Sequence, residues 1–72
     1  MTTTATYSVE GMTCDHCVRA VTTEFTMIPG VLRVDVDLGS GAVTVVSSEP
    51  LGESDVRDAV EEAGYHLVGQ AP

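Results

Sequence analysis

A chain of 72 residues has room for one domain with a small core and excludes a separate catalytic domain, because apolar burial in so short a chain barely exceeds the roughly 1.5 kcal/mol per residue lost on ordering it. With 43% hydrophobic and 19% charged residues, the composition is that of a folded domain and not of a disordered tail. Its 11 carboxylates face only Arg19, Arg33 and Arg57, with no lysine, and the formal net charge of -8 repels nucleic acid and anionic lipid; it leaves two compatible roles for the surface, solubility and the steering of a basic protein partner.

Residues 6–10 alternate Tyr7 and Val9 with Ser8 and Glu10, the period of a half-buried strand. Gly11 then lets the backbone turn. Val18, Val21, Phe25 and Ile28 recur at steps of three and four, which predicts an amphipathic helix over 16–28, stopped by Pro29 and Gly30. Over 32–38, Leu32, Val34, Val36 and Leu38 alternate with Arg33, Asp35 and Asp37, so a strand with those four apolar residues buried is expected. Gly39, Ser40 and Gly41 make a hairpin turn into a β-branched strand over 42–46, followed by a loop over 47–51 that contains Pro50. A second helix is expected over 53–63, with Val56, Ala59, Val60 and Ala63 on one stripe and Gly52 or Ser54 as its cap. Gly64 ends it in a left-handed conformation, and residues 65–68 offer a last short strand.

The resulting order, βαββαβ, is two βαβ units. Right-handed crossovers place both helices on one face of a four-stranded antiparallel sheet, the ferredoxin-like α+β sandwich, as a single domain over 1–72. In that topology the loop between the first strand and first helix, and the loop carrying Tyr65, lie at the same end.

The first of these loops holds both cysteines, Cys14 and Cys17, two residues apart where an extended stretch gives way to a helix. Two sulfurs at that spacing can turn toward one ion, and the N-terminal end of the helix favours their ionised form. The spacing alone serves a thiol redox centre, half of a zinc site or a site for another soft ion. A structural zinc site wants four nitrogen or sulfur ligands; beyond the cysteines the chain offers His16, which would strain the loop to reach the same ion, and the distant His66. A thioredoxin-type centre needs a longer chain, and the motif carries Asp15 and His16 where such centres commonly have proline. Thiolates are soft ligands, and Cu(I) is satisfied by two of them in a near-linear arrangement. Asp15 opposes thiol ionisation yet suits a helix N-terminus, and its net sign is open. No Ser/His/Asp grouping, phosphate-binding glycine loop or paired acid and base is found, so no enzyme is expected.

The stretch Gly11 to Cys17, reading GMTCDHC, resembles the signature of heavy-metal-associated (HMA) domains, and the resemblance continues through Ile28-Pro29-Gly30-Val31 and Ala63-Gly64-Tyr65, covering residues 6–68. Within that family it resembles bacterial CopZ-like copper chaperones. The resemblance implies that Cys14 and Cys17 are the Cu(I) ligands. It implies that Met12 is a structural anchor beneath the loop more than a thioether ligand and that Tyr65 lies close to the copper, while His16 occupies a position between the cysteines where the family tolerates many residues. Tyr65 is open between covering the core edge and bonding a thiolate, and His16 between a solvated first-turn residue, a tuner of the thiols and a third ligand when two chains share copper. His66 is expected to be structural or solvent-facing.

The family further implies that Cu(I) is passed by ligand exchange to the metal-binding domain of a copper-exporting P-type ATPase, with a copper-bridged homodimer as a further partner state. Residues 1–10 have no basic residue and no sustained apolar run, and no stretch approaches the ~18 apolar residues of a membrane span. The expectation is therefore a cytoplasmic protein with reduced thiols and no membrane insertion. A start at Met1 and an end at Pro72 favour a stand-alone chaperone over a detached regulatory domain of the pump, and the missing leader argues against a periplasmic mercury-binding relative. A thiol-disulfide oxidoreductase is the alternative from another class.

Overall fold

The computed structural model describes residues 2–71, so Met1 and Pro72, the two ends of the expected 1–72 domain, lie outside the described residues. Its elements are β1 (Thr3–Glu10), α1 (Asp15–Thr26), β2 (Val31–Asp37), β3 (Ala42–Ser47), α2 (Glu53–Glu62) and β4 (His66–Ala71). The strands form one four-stranded antiparallel sheet in the order β2-β3-β1-β4, the ferredoxin-like arrangement expected from the sequence. One sheet face, carrying Tyr7, Val9, Val43, Val45 and Leu67, buries against Val21 and Phe25 of α1 and Val56 and Val60 of α2. The Tyr7 and Phe25 rings meet at 6.3 Å between centroids, within the range of a favourable tilted pair.

Element ends differ from the sequence pattern where pairing or packing overrides it. β1 and β4 are both longer than their alternation predicts, because β1 is a central strand held from both sides and β4 runs along it from Glu10↔His66 to Thr6↔Ala71. Backbone pairing thus carries Gly69 and Gln70 into a strand despite their poor propensity. The first helix ends at Thr26, short of Ile28, as the Met27 N–H turns back to the Glu24 carbonyl; Pro29 disfavours helical backbone at the residue before it.

One core expectation fails. Leu32 is 61% exposed, not buried. The register slips between Val31, which pairs with Ser47, and Arg33, which pairs with Val46, so Leu32 is the extra residue of a β-bulge and Val31 takes its place against the core. A second slip, with Ser8 opposite Gly69 and Val9 opposite Leu67, makes Val68, 58% exposed, the unpaired residue of a bulge in β4. An alternating pattern cannot announce an inserted residue, which reverses the facing of everything before it.

Three loops converge at one end of the sandwich. They are the segment from Gly11 to Cys14 between β1 and α1, the tip of the β2–β3 hairpin, and the turn of Ala63 to Tyr65 between α2 and β4. The hairpin tip touches the first of these paths directly: the Val9 N–H donates to the Gly41 carbonyl at 2.9 Å, and Gly41 has φ +75 with its Cα hydrogen side against the Val9 carbonyl.

Candidate metal centre

Cys14 is the N-cap of α1, extended at φ -157 and ψ 172, and its carbonyl accepts from the N–H groups of Cys17 and Val18 at 3.0 and 3.3 Å. That hydrogen bonding starts the helix while leaving the Cys14 side chain uncommitted to any cap bond, exposed at the corner of the fold. Cys17 sits in the first turn of the helix, on the face that continues through Val21 and Phe25, and is only 7% exposed. Against the expectation of two cysteines on an exposed loop, the helical period draws Cys17 into the edge of the core, since it lies four residues before Val21. The two Sγ atoms are 3.5 Å apart, and neither is in a disulfide.

The environment of Cys17 favours the thiolate. Its pKa is pulled down to about 6, first by backbone hydrogen bonding at Thr13, next by the Tyr65 side chain, and also by Cys14, against the opposing effect of burial. The Thr13 Oγ1 stands 4.0 Å from the same sulfur, and Tyr65 is a further, looser polar neighbour. The Tyr65 phenol is correspondingly pushed up, chiefly by the polar influence of the neighbouring Cys17 sulfur and then by burial. Thr13 precedes the N-cap at Cys14, and motif spacing does not single it out because it acts on the sulfur chiefly through its backbone.

Tyr65 reaches this place through the end of α2. Gly64 adopts φ +93, its N–H donates to the Glu61 carbonyl at 2.9 Å, and the Tyr65 N–H donates to the Val60 carbonyl at 3.0 Å. These two bonds are the Schellman pattern, which fixes the direction in which the chain leaves a helix. The ring that follows is half-buried against the core and lies over Gly11. Met12 is half-buried and packs against the same core. His16 is exposed and borders a shallow groove between the helices with Arg19, Thr23, Glu24 and Glu62, and it is not among the groups that set the Cys17 pKa. His66 is exposed at the start of β4. Asp15 is an exposed carboxylate in the first turn of α1, where the helix dipole favours it.

Chemically, the corner offers two soft donors able to face one ion. Among the described residues, no three of His, Cys, Asp and Glu gather as a ligand set. With metal–sulfur bonds of about 2.3 Å, a straight S–metal–S unit needs sulfurs about 4.6 Å apart, so the pair must open by about 1.1 Å. Cys14, exposed and uncapped, is the side chain free to swing.

The low Cys17 pKa has a measurable consequence. Alkylation followed residue by residue against pH gives a Cys17 rate with its midpoint near about 6; a midpoint at the ordinary value of about 8.5 contradicts the assigned environment. Tyr65→Phe, which removes one lowering contribution, moves that midpoint upward. The linkage has a definite sign. A thiol with a folded pKa below its unfolded value contributes stability that is complete above about 8.5 and is lost as pH falls through about 6. The metal-free protein accordingly becomes more stable as pH rises across that window, and denaturant midpoints at several pH values read it.

Residues 6–66 match the heavy-metal-associated domain family. The chain is 43% identical over 65 residues to the copper chaperone CopZ of Staphylococcus saprophyticus, covering 89% of this chain and 96% of that protein. It superposes on a solved CopZ metallochaperone with a TM-score of 0.85 and 37% identity, covering 92% of this chain and all of the other. A copper-binding domain from a P-type ATPase has the same fold, with a TM-score of 0.85 and 29% identity over 99% of this chain and 96% of that domain. No helix among the described residues is long and apolar enough to cross a membrane.

Proposed function

Because the chain belongs to the heavy-metal-associated domain family, we propose that it is a cytoplasmic copper chaperone, not an enzyme, in which Cys14 and Cys17 hold Cu(I) and pass it by ligand exchange to the metal-binding domain of a copper-exporting P-type ATPase. The observation that carries this reading is the pair itself: two sulfurs 3.5 Å apart, one buried at the helix start and one exposed at the corner.

That asymmetry gives the two sulfurs different tasks. Cys17, a thiolate near neutral pH, is the anchor. Cys14 loses its proton on binding copper, opens the pair toward linearity and remains within reach of solvent. A thiolate of the partner then forms a bond to copper, giving three sulfurs on one ion; Cys14 leaves and takes up a proton, and a second partner thiolate displaces Cys17. Each exchange makes one copper–sulfur bond and breaks one. Copper remains Cu(I) throughout, so no electron donor is required. A shared three-sulfur state between two copies of this chain would be the copper-bridged dimer. The net charge of -8 favours encounter with a basic partner surface.

A depressed thiol pKa also suits disulfide exchange, which makes an oxidoreductase module the competing reading. Mixing the Cu(I)-loaded chain with a reduced, copper-free metal-binding domain from a P-type ATPase, then separating the two and assaying metal, distinguishes them. Copper redistributes between the parents, and Cys14→Ser, which does not retain the ion, delivers none. Copper that stays put, together with metal-free turnover in a disulfide-reduction assay, would move the assignment to the oxidoreductase.

A further inference from the structure

We infer that Gly11 is a positioning residue for Tyr65: the missing side chain at Gly11 is the seat on which the phenol ring rests, and it holds the ring beside the sulfur pair. A Cβ at this position would lie 3.1 Å from Tyr65 Cδ1, 3.9 Å from Cε1 and 4.0 Å from Cγ. The ring therefore meets Gly11 along one edge.

The ring cannot retreat by moving its backbone. The Tyr65 N–H is committed to the Val60 carbonyl at 3.0 Å, Gly64 before it is fixed at φ +93 by the end of α2, and the next residue begins β4. A methyl group at Gly11 must instead turn the ring about its own side-chain bonds. The hydroxyl, farthest from that pivot, moves more than the edge in contact and shifts its position relative to Cys17. Gly11 thus controls a contact it does not itself make. Spacing within the GMTCDHC stretch cannot show this, because the partner is 54 positions away (65 − 11). The role in copper release rests on the chaperone reading; the steric seat does not.

Gly11 also has φ +99, so any substitution strains its backbone. A double-mutant cycle separates that strain from the seat. Gly11→Ala is measured in the parent and in Tyr65→Ala, where the ring is gone and only the backbone strain persists. The unfolding equilibrium is expected to shift about tenfold more in the parent than in Tyr65→Ala. Equal shifts in the two backgrounds overturn the seat. If Gly11→Ala does not fold in the parent, recovery of folding in Tyr65→Ala supports the proposal, and failure in both overturns it.

The functional arm is the rate of Cu(I) release to a chelator. Gly11→Ala is expected to change this rate by the same factor and in the same direction as Tyr65→Phe, and to add nothing when combined with it. Gly30→Ala is the control, since Gly30 carries a similar φ of +92 with its Cβ position facing Ser48 at the other end of α1; it leaves the rate unaltered. Independent, multiplying factors, or a Gly11→Ala rate equal to that of the control, contradict the positioning role. If the parent holds no Cu(I) at all, the chaperone reading fails while the stability cycle still decides the seat.

Discussion

On the proposed reading, replacing Cys17 with serine is expected to abolish Cu(I) binding. Affinity falls by on the order of a thousandfold or more, because one thiolate cannot form the two-sulfur unit and even groups outside a metal's ligand set commonly change affinity about 10–100-fold. Copper that co-elutes with the parent on gel filtration separates from the variant. Cys14→Ser loses copper to the same degree, yet the two variants differ in the metal-free state. The Cys14 side chain is exposed and makes no cap bond, so its replacement leaves stability nearly unaltered. Cys17 is buried beside Thr13 and Tyr65, and its loss also removes the stability that its ionisation contributes at neutral pH. Retained copper in the Cys17→Ser eluate would show that another donor set holds the metal.

Gly41→Ala has the largest expected effect on folding. Its Cβ would lie 2.8 Å from the Val9 carbonyl oxygen, a backbone atom of a central strand, and its φ of +75 already disfavours any other residue. The left-handed conformation costs about 1–2 kcal/mol, and the overlap adds about 1–3 kcal/mol. Relief by moving the hairpin tip would break the Val9 N–H bond to the Gly41 carbonyl and the Gly41 N–H bond to the Asp37 carbonyl, both 2.9 Å. A chain of this length has a total stability of about 4–11 kcal/mol, so much of it is lost and the thermal midpoint drops by about 10 °C or more. Thermal unfolding followed by circular dichroism reads the change, and a drop of less than about 3 °C would mean that the loop accommodates the methyl group cheaply.

The order of elements and the placement of the cysteine pair were legible because both are local. Alternation, three-and-four spacing, and the Pro29-Gly30 and Gly39-Ser40-Gly41 breaks suffice to order the six elements. The topology then brings the loops of Cys14 and Tyr65 to one end. What the sequence did not disclose depends on contacts between distant segments. Leu32 fits an alternating pattern and yet faces solvent, because a bulge is decided by how two strands pair. The burial of Cys17 is not evident from the two-residue spacing of the pair, since it depends on the cap geometry at Cys14 that starts the helix and turns Cys17 toward the core. Gly11 and Gly41 looked like ordinary turn glycines; each is fixed by a neighbour far along the chain, the Tyr65 ring and the Val9 carbonyl.

The central claim is that two sulfurs, and no other group, hold Cu(I) in this chain. Competition against a Cu(I) chelator, run on the reduced parent and on the Cys14→Ser/Cys17→Ser variant and repeated with Zn(II), tests it most directly. The account predicts that the parent outcompetes the chelator for Cu(I), that it holds Zn(II) much less tightly, and that the double variant captures neither. A double variant that keeps the parent's Cu(I) affinity contradicts it.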